Sequence, residues 1–117
     1  MDLSALEKHV LTDLVQDAHE LWELYAFVRH NHPEFTDIQV IKCGHDLLAS
    51  WVQRGWLSAQ QTRMNNNPLA PVELLAAVDK LGLGAADPEK GTILLSLTKR
   101  AVTDVDWLPK NITPSLP

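Results

Sequence analysis

The chain contains one cysteine, Cys43, among its 117 residues. A single cysteine cannot form a disulfide within the chain, and this composition is typical of proteins in a reducing compartment. The sequence also lacks an apolar run near the ~20 residues that a membrane-spanning helix needs. Its acidic, polar N-terminus differs from the basic and then apolar plan of a signal peptide. We therefore expect a cytoplasmic protein.

Positive charge is scarce as well. The chain has 10 Lys and Arg residues against 15 Asp and Glu residues, which gives a net charge of −5. A nucleic-acid interface normally appears as a basic patch, so this balance disfavours a broad one and leaves room only for a small one. The bias is strongest up to Val28, where six acids accompany a single Lys or Arg, Lys8.

No residue pattern of an enzyme or metal centre is present. His30 and His32 lie two residues apart at an expected helix end, without the further ligands that a closed zinc site requires, and we interpret them as solvated. Cys43 and His45 are close only along the chain, whereas a nucleophile and its base are defined by geometry. Gly82, Gly84 and Gly91 follow expected helices and turns and form no phosphate loop. We expect a non-enzymatic protein with no catalytic residue, metal or cofactor.

The length and the 45% hydrophobic content indicate one folded domain, residues 1–108, followed by a flexible proline-rich tail, 109–117. Apolar residues at three- and four-residue spacing predict a long first helix from Ser4 to about His32, a central helix and a third helix over Pro71–Leu81. The fold class expected is mainly α, a small bundle of three main helices with a short C-terminal β-hairpin or strand, a winged-helix-like variant.

The central helix is the best-specified element, because Phe35–Trp56 carries both a start and a stop signal. Thr36 and Gln39 match a capping box. Gly55 followed by Trp56 matches a Schellman stop. Gly44 lies in the middle of this helix, and two interpretations compete. It either lets a neighbouring helix approach closely or forms the turn of a DNA-reading helix-turn-helix. The unbroken apolar stripe favours the packing glycine.

The remaining segments are shorter. Ser58 with Gln61 resembles another capping box and predicts a helical turn to about Met64. Gly82 and Leu83 are expected to end the third helix by the Schellman pattern. Residues 92–97 are rich in branched side chains and predict a strand. Its partner is either the segment 83–86, the segment 56–58 or a second copy of the chain. Thr98 is expected to cap a last short helix.

Four tryptophans are candidates for core or for a binding surface, where Trp is enriched at energetic hot spots. Trp22 and Trp51 fall on the apolar stripes of their helices, so core packing is expected. Trp56 and Trp107 come at element ends, where a half-exposed position at a partner surface is expected.

Four acids of the N-terminal segment are the other candidates for partner binding. Asp13, Asp17 and Glu20 recur at helical spacing, with Glu23 three residues further, and predict an acidic stripe on the outer edge of the first helix. Such runs often only face water, but complementary charge also speeds the encounter with a basic partner.

Two segments, WVQRGWL (Trp51–Leu57) and ILLSLTKRAVTDV (Ile93–Val105), resemble winged-helix proteins over about Thr36 to Val105. In that family a helix ends before a glycine-plus-apolar step, and a wing strand later leads into a Leu-Thr pair and a closing helix. The third helix is inserted here where the family turns directly into its wing. The resemblance implies DNA reading by residues 45–54, supported by Lys42, Arg54, Lys99 and Arg100.

In type rather than in motif, the chain also resembles bacterial immunity proteins, which are small, acidic and helical and neutralise toxin domains. The leading hypothesis is therefore a non-enzymatic protein-binding domain, an immunity or inhibitor protein that meets a basic partner. The proposed surface consists of Asp13, Asp17, Glu20, Glu23, Trp56 and Trp107. The alternative is a winged-helix transcription regulator.

Overall fold

A computed structural model gives the structure of the protein and describes residues 5–61, 67–90 and 92–105. This part of the chain is mainly helical and carries a small antiparallel sheet of four strands. The mainly α class is confirmed, but the expected bundle of three main helices with a C-terminal hairpin is not. The order is α1 (Ala5–Gln16), β1 (His19–Glu20), α2 (Leu21–Asn31), α3 (Asp37–Gln53), β2 (Leu57–Gln61), β3 (Asn67–Leu69), α4 (Pro71–Leu81), a 3-10 helix (Gly82–Ala86), β4 (Ile93–Leu97) and α5 (Lys99–Asp104). The Ser4 cap, Trp107 and the predicted tail, 109–117, lie outside the described residues.

The central helix α3 has the ends that its sequence predicts. The Thr36 backbone N–H donates to the Gln39 side chain, and the Gln39 N–H donates to the Thr36 hydroxyl, so the capping box is complete. At the other end Gly55 has a φ of 75°. The Trp56 N–H donates to the Trp51 carbonyl at 2.9 Å, as in a Schellman motif. Both predicted ends are confirmed.

Gly44 is a packing glycine in an unbroken helix. A methyl group at this position would lie 2.7 Å from Cδ1 of Tyr25, on α2, which is closer than carbon atoms can approach. Because Gly44 has no side chain, the Tyr25 ring of α2 can pack directly against the backbone of α3. The interpretation of Gly44 as a helix-turn-helix turn is wrong, because α3 continues through it.

The predicted long first helix is wrong. The chain leaves α1 after Gln16, and His19 and Glu20 pair with β4 before α2 begins. Glu20 then serves as the N-cap of α2 and shares a capping box with Glu23. Strand pairing and this cap satisfy backbone groups that a continuous helix would otherwise have bonded.

Strand β4 lies inside the sheet, whose order is β1-β4-β2-β3. It pairs with β2 over five rungs, from Leu57↔Leu97 to Gln61↔Ile93. The expected partner around residues 56–58 is thus close to the observed one, and the pairing lies within one chain. The hairpin with residues 83–86 is wrong, since that segment forms the 3-10 helix. The helical turn expected from Ser58 is also wrong, because residues 57–61 form the strand β2.

The core lies between one face of the sheet and the helices. Helix α1 contacts β4, α4 contacts β2, and α3 contacts both α2 and α4. The buried apolar side chains that the sheet contributes are Leu57, Ala59, Ile93, Leu95 and Leu97. Helix α4 forms as predicted and ends at Gly82, which has a φ of 54°. Leu83 is 59% exposed, so the apolar contact of the predicted Schellman stop is not made.

Candidate functional site

A groove of about 490 Å³ lies between α1 and α2. Its lining residues are His9, Trp22, Glu23, Ala26, Phe27 and His30. The His9 ring meets the Phe27 ring edge-on, with centroids 5.1 Å apart. His9 also lines a separate depression on α1, together with Asp13. We refer to the first of these as the α1–α2 groove.

Trp22 is the largest side chain of the α1–α2 groove, and it is only half-buried. Its indole Nε1 donates to Oε2 of Glu20 at 2.7 Å, which fixes the orientation of the ring. The expectation that Trp22 packs in the core is wrong, because α2 starts anew at Leu21. The residues that α2 buries are Leu21, Leu24, Tyr25 and Val28, and Trp22 falls beside that line.

The four candidate acids do not form a stripe on one helix, because the chain bends between them. Asp13 lies on α1, with its carboxylate 3.8 Å from the His9 ring. Asp17 is exposed in the bend that follows α1. Glu20 caps α2, and Glu23 accepts a hydrogen bond of 2.6 Å from the Glu20 backbone N–H. The acids therefore follow the bend from α1 to α2. Of the four, only Glu23 lines the α1–α2 groove, and Asp13 lies beside His9, which also lines it.

The other tryptophans do not provide a surface in the described structure. Trp56 is 0% exposed, and its Nε1 donates to Asp104 of α5 at 3.0 Å. Its expected half-exposed position at a partner surface is wrong, because α5 folds back over the end of α3. Trp107 lies outside the described residues. Trp51 is buried as expected, and its Nε1 donates to Glu7 at 3.1 Å.

Three of the four residues proposed for DNA binding lie at one corner of the molecule. Arg100 packs over Gly55, so the start of α5 and the end of α3 bring Arg54, Lys99 and Arg100 together. Arg100 is paired with an acid of α5 at 3.5 Å. Lys42 lies about 18 Å away along α3, paired with an acid one turn further at 3.4 Å. These cations do not form a continuous basic surface.

Cys43 and His45 are not brought together. Residues two apart on a helix point in different directions. Cys43 is half-buried and lines a groove of about 470 Å³. His45 instead lies 3.5 Å from Asp79 of α4. Burial raises the pKa of the Cys43 thiol, as do the charges of Asp46 and Glu7, so the thiol is held in its less nucleophilic, neutral form.

The histidines have separate surroundings. His30 lines the α1–α2 groove, whereas His32 caps the end of α2 and stacks on Phe35 with centroids 4.4 Å apart. His19 faces Glu23 at 3.3 Å. Within residues 5–61, 67–90 and 92–105, no three His, Cys, Asp or Glu side chains are grouped so that they could hold a metal ion.

His9 and Phe27 were missed as site residues because each depends on a contact between two helices. Part of the groove could be predicted from the sequence, because Trp22, Ala26 and His30 recur at every fourth residue. This spacing defines a second stripe on α2, beside the buried one. An aromatic residue in such a stripe could have been recognised as the wall of a groove.

Comparisons with known proteins identify no relative of this chain. No protein-family model matches it, and no curated protein and no solved structure matches it significantly. Among the helices that the structure describes, none is both long and apolar enough to cross a membrane.

Proposed function

We propose that the protein is a non-enzymatic protein-binding domain, specifically an immunity or inhibitor protein that neutralises a toxin domain or another basic partner. The observation that supports this best is the α1–α2 groove. It combines two half-buried aromatic side chains, Trp22 and Phe27, with Glu23 in its lining and Asp13 beside His9. Aromatic anchors within a charged rim are the usual composition of a protein-protein interface.

Trp22 is suited to be the anchor of such an interface. Tryptophan is enriched at binding hot spots. Because Glu20 already holds the indole N–H, the ring is oriented and its polar atom is satisfied before the partner arrives. Less side-chain conformational entropy is then lost on binding, so more of the contact free energy contributes to affinity.

The charge around the groove determines the chemistry of the partner. Asp13, Asp17, Glu20 and Glu23 follow the bend, whereas Lys8 is the nearest base along α1. A basic partner segment would be steered towards this surface and would associate faster at low salt. A Lys or Arg of that segment can lie over the Trp22 ring, which adds a cation–π contact.

The alternative, a winged-helix transcription regulator, has less support. Helix α3 buries Leu48 and Trp51, in the middle of the segment expected to read DNA. The basic corner at Arg54, Lys99 and Arg100 is the feature that would remain to contact phosphates.

Binding to an identified partner tests the proposal. The wild-type chain is used to capture proteins from an extract of its own organism, and a captured basic protein is purified for calorimetry and kinetic binding measurements. We expect Trp22→Ala to raise Kd about thirtyfold or more, as for a hot spot. Asp17→Lys is expected to lower the association rate, most strongly at low salt.

Two exposed positions away from the groove serve as controls. Val72→Ala removes an apolar side chain that is 80% exposed, and Glu89→Lys reverses an exposed charge. Neither should change Kd. An unchanged Kd for both Trp22→Ala and Asp17→Lys would contradict the proposed surface. Salt-sensitive binding of genomic DNA fragments that Arg54→Ala weakens would favour the alternative.

A further inference from the structure

A second groove, of about 400 Å³, lies where the β2–β4 ladder ends beneath the C-terminal part of α4. The last rung of the ladder is Gln61↔Ile93. Ala77 and Leu81 of α4 form the opposite wall, so the interior is mainly apolar. Two lysines, Lys80 and Lys90, stand at its rim. We call this site the Lys80–Lys90 groove.

The Lys90 side chain lies against Gly84 of the 3-10 helix. A methyl group at Gly84 would lie 3.3 Å from Cδ and 3.7 Å from Cβ of Lys90, so the aliphatic stem of the lysine packs over the bare backbone of the 3-10 helix. Long cationic side chains commonly bury the stem in this way and leave the ammonium group at the surface. Lys80 approaches from the last turn of α4.

Neither lysine is neutralised by a carboxylate in the part of the chain that the structure describes. Some cations are paired, for example Arg29 with Asp37 at 2.8 Å, but Lys8 and Lys99 also have no carboxylate partner among the described residues. What distinguishes Lys80 and Lys90 is that both line one groove. Two unpaired ammonium groups above an apolar interior therefore attract an anion, and the apolar wall attracts a hydrocarbon.

We propose that the Lys80–Lys90 groove binds a small amphipathic carboxylate, of the class of medium-chain fatty acids. The carboxylate lies between Lys80 and Lys90, and the chain lies against Ala77, Leu81 and Ile93. The volume of the groove is in the range of small-ligand sites, and a few convergent polar groups over apolar walls are typical of them. This site shares no residue with the α1–α2 groove, so its test is independent of the partner-binding proposal.

Nuclear magnetic resonance titration of the full chain with sodium octanoate tests the proposal. We expect saturable shifts of the backbone amides of Ala77, Leu81 and Ile93. 1-Octanol, which has the chain without the charge, and octylammonium, which reverses the charge, should bind much more weakly. Inorganic phosphate, which has the charge without the chain, should also bind weakly.

Variants connect the binding to the groove. Lys80→Gln with Lys90→Gln should raise the Kd for octanoate about fivefold or more, whereas Lys99→Gln, an exposed lysine on α5, should leave it unchanged. Ala77→Leu fills the groove and should abolish binding of octanoate. The backbone amide resonances away from the groove should keep their positions, which shows that the variant is folded. Absence of saturable shifts, equal binding of octanol, or wild-type affinity in the double lysine variant would each overturn the proposal.

Discussion

The aromatic ring of Tyr25 lies directly against the backbone of Gly44, in the space that any other residue at position 44 would fill with its side chain. Tyr25 is 0% exposed, so the ring is enclosed on its other sides and cannot move outward. This contact fixes the distance between α2 and α3. It therefore also fixes the position of the neighbouring stripe of α2, which carries Trp22.

Replacement of Gly44 by alanine should destabilise the protein. Alanine gains about 1 kcal/mol of helix propensity, but overlap with an enclosed ring costs about 1–3 kcal/mol. We expect a net decrease of about 1 kcal/mol in the free energy of unfolding, measured by urea denaturation with tryptophan fluorescence. Gly84→Ala is the matched control, because its methyl group would meet the side chains of Lys90 and Leu81 at 3.3 Å or more and no enclosed ring. Equal stability of the two variants would contradict the close approach of the helices.

Tyr25 should make stability depend on alkaline pH. Burial, and then the charge of Asp79, raises the pKa of Tyr25 above its usual range. The unfolded chain loses this proton near pH about 10 while the folded chain keeps it. The stabilisation is therefore complete below that pH and falls by about 1.4 kcal/mol per pH unit above it.

The sequence contains one tyrosine, so the effect can be isolated. Denaturation curves from pH 8 to about 11 should show a steeper loss of stability for the wild type than for Tyr25→Phe. The ultraviolet absorbance of the phenolate should appear together with unfolding. Parallel pH profiles for the two proteins would show that the hydroxyl group is not protected by burial.

Asp104 should contribute to stability through Trp56. Asp104→Ala removes the acceptor of the Trp56 indole N–H, and an unsatisfied buried donor costs about 1–3 kcal/mol. Asp104→Asn keeps an oxygen acceptor and should cost less. The control is Asp46→Ala, which breaks only an exposed pair with Lys42 and should cost less than about 1 kcal/mol. Chemical denaturation should show the largest loss of stability for Asp104→Ala, a smaller loss for Asp104→Asn and the smallest for Asp46→Ala. Equal losses for all three variants would contradict the burial of the Trp56 indole by α5.

Cys43 should react slowly with iodoacetamide, because the raised pKa keeps the thiol protonated near neutral pH. The rate for the folded chain should lie below that of the urea-unfolded chain at the same pH. Asp46→Asn removes one of the negative charges that raise the pKa and should accelerate the reaction about twofold. Asp87→Asn, an acid of the turn before β4, should leave it unchanged. A folded thiol that reacts as fast as the unfolded one would contradict the prediction.

Elements with local start and stop signals were the ones that the sequence could predict. The ends of α3 depend on Thr36, Gln39 and Gly55, all within or beside the helix, and α4 begins at a proline and ends at a glycine. The break between α1 and α2 had no comparable signal. Glutamate is not a favoured N-cap residue, and the strand that interrupts the helix pairs with residues more than seventy positions away.

Long-range contacts also explain the errors at the candidate site. Ser58 and Gln61 have the spacing of a capping box, but β4 supplies hydrogen-bond partners that a short helix cannot match. Trp56 follows a helix stop as expected, and only Asp104, 48 residues later, determines that its ring is buried. The acids and their sign could be recognised from composition, whereas the groove beside them depends on how α1 packs on α2.

The position of β4 in the sheet has a consequence for biosynthesis. This strand lies between β1 and β2, yet it is made after the three other strands that the structure describes. Until Leu97 has been synthesised, β1 has no partner and the apolar residues of α1 that contact β4 have no surface to cover. Contacts between such distant parts of a chain slow folding. The nascent protein therefore cannot complete its core from the N-terminus onward and closes it only after β4 has been made.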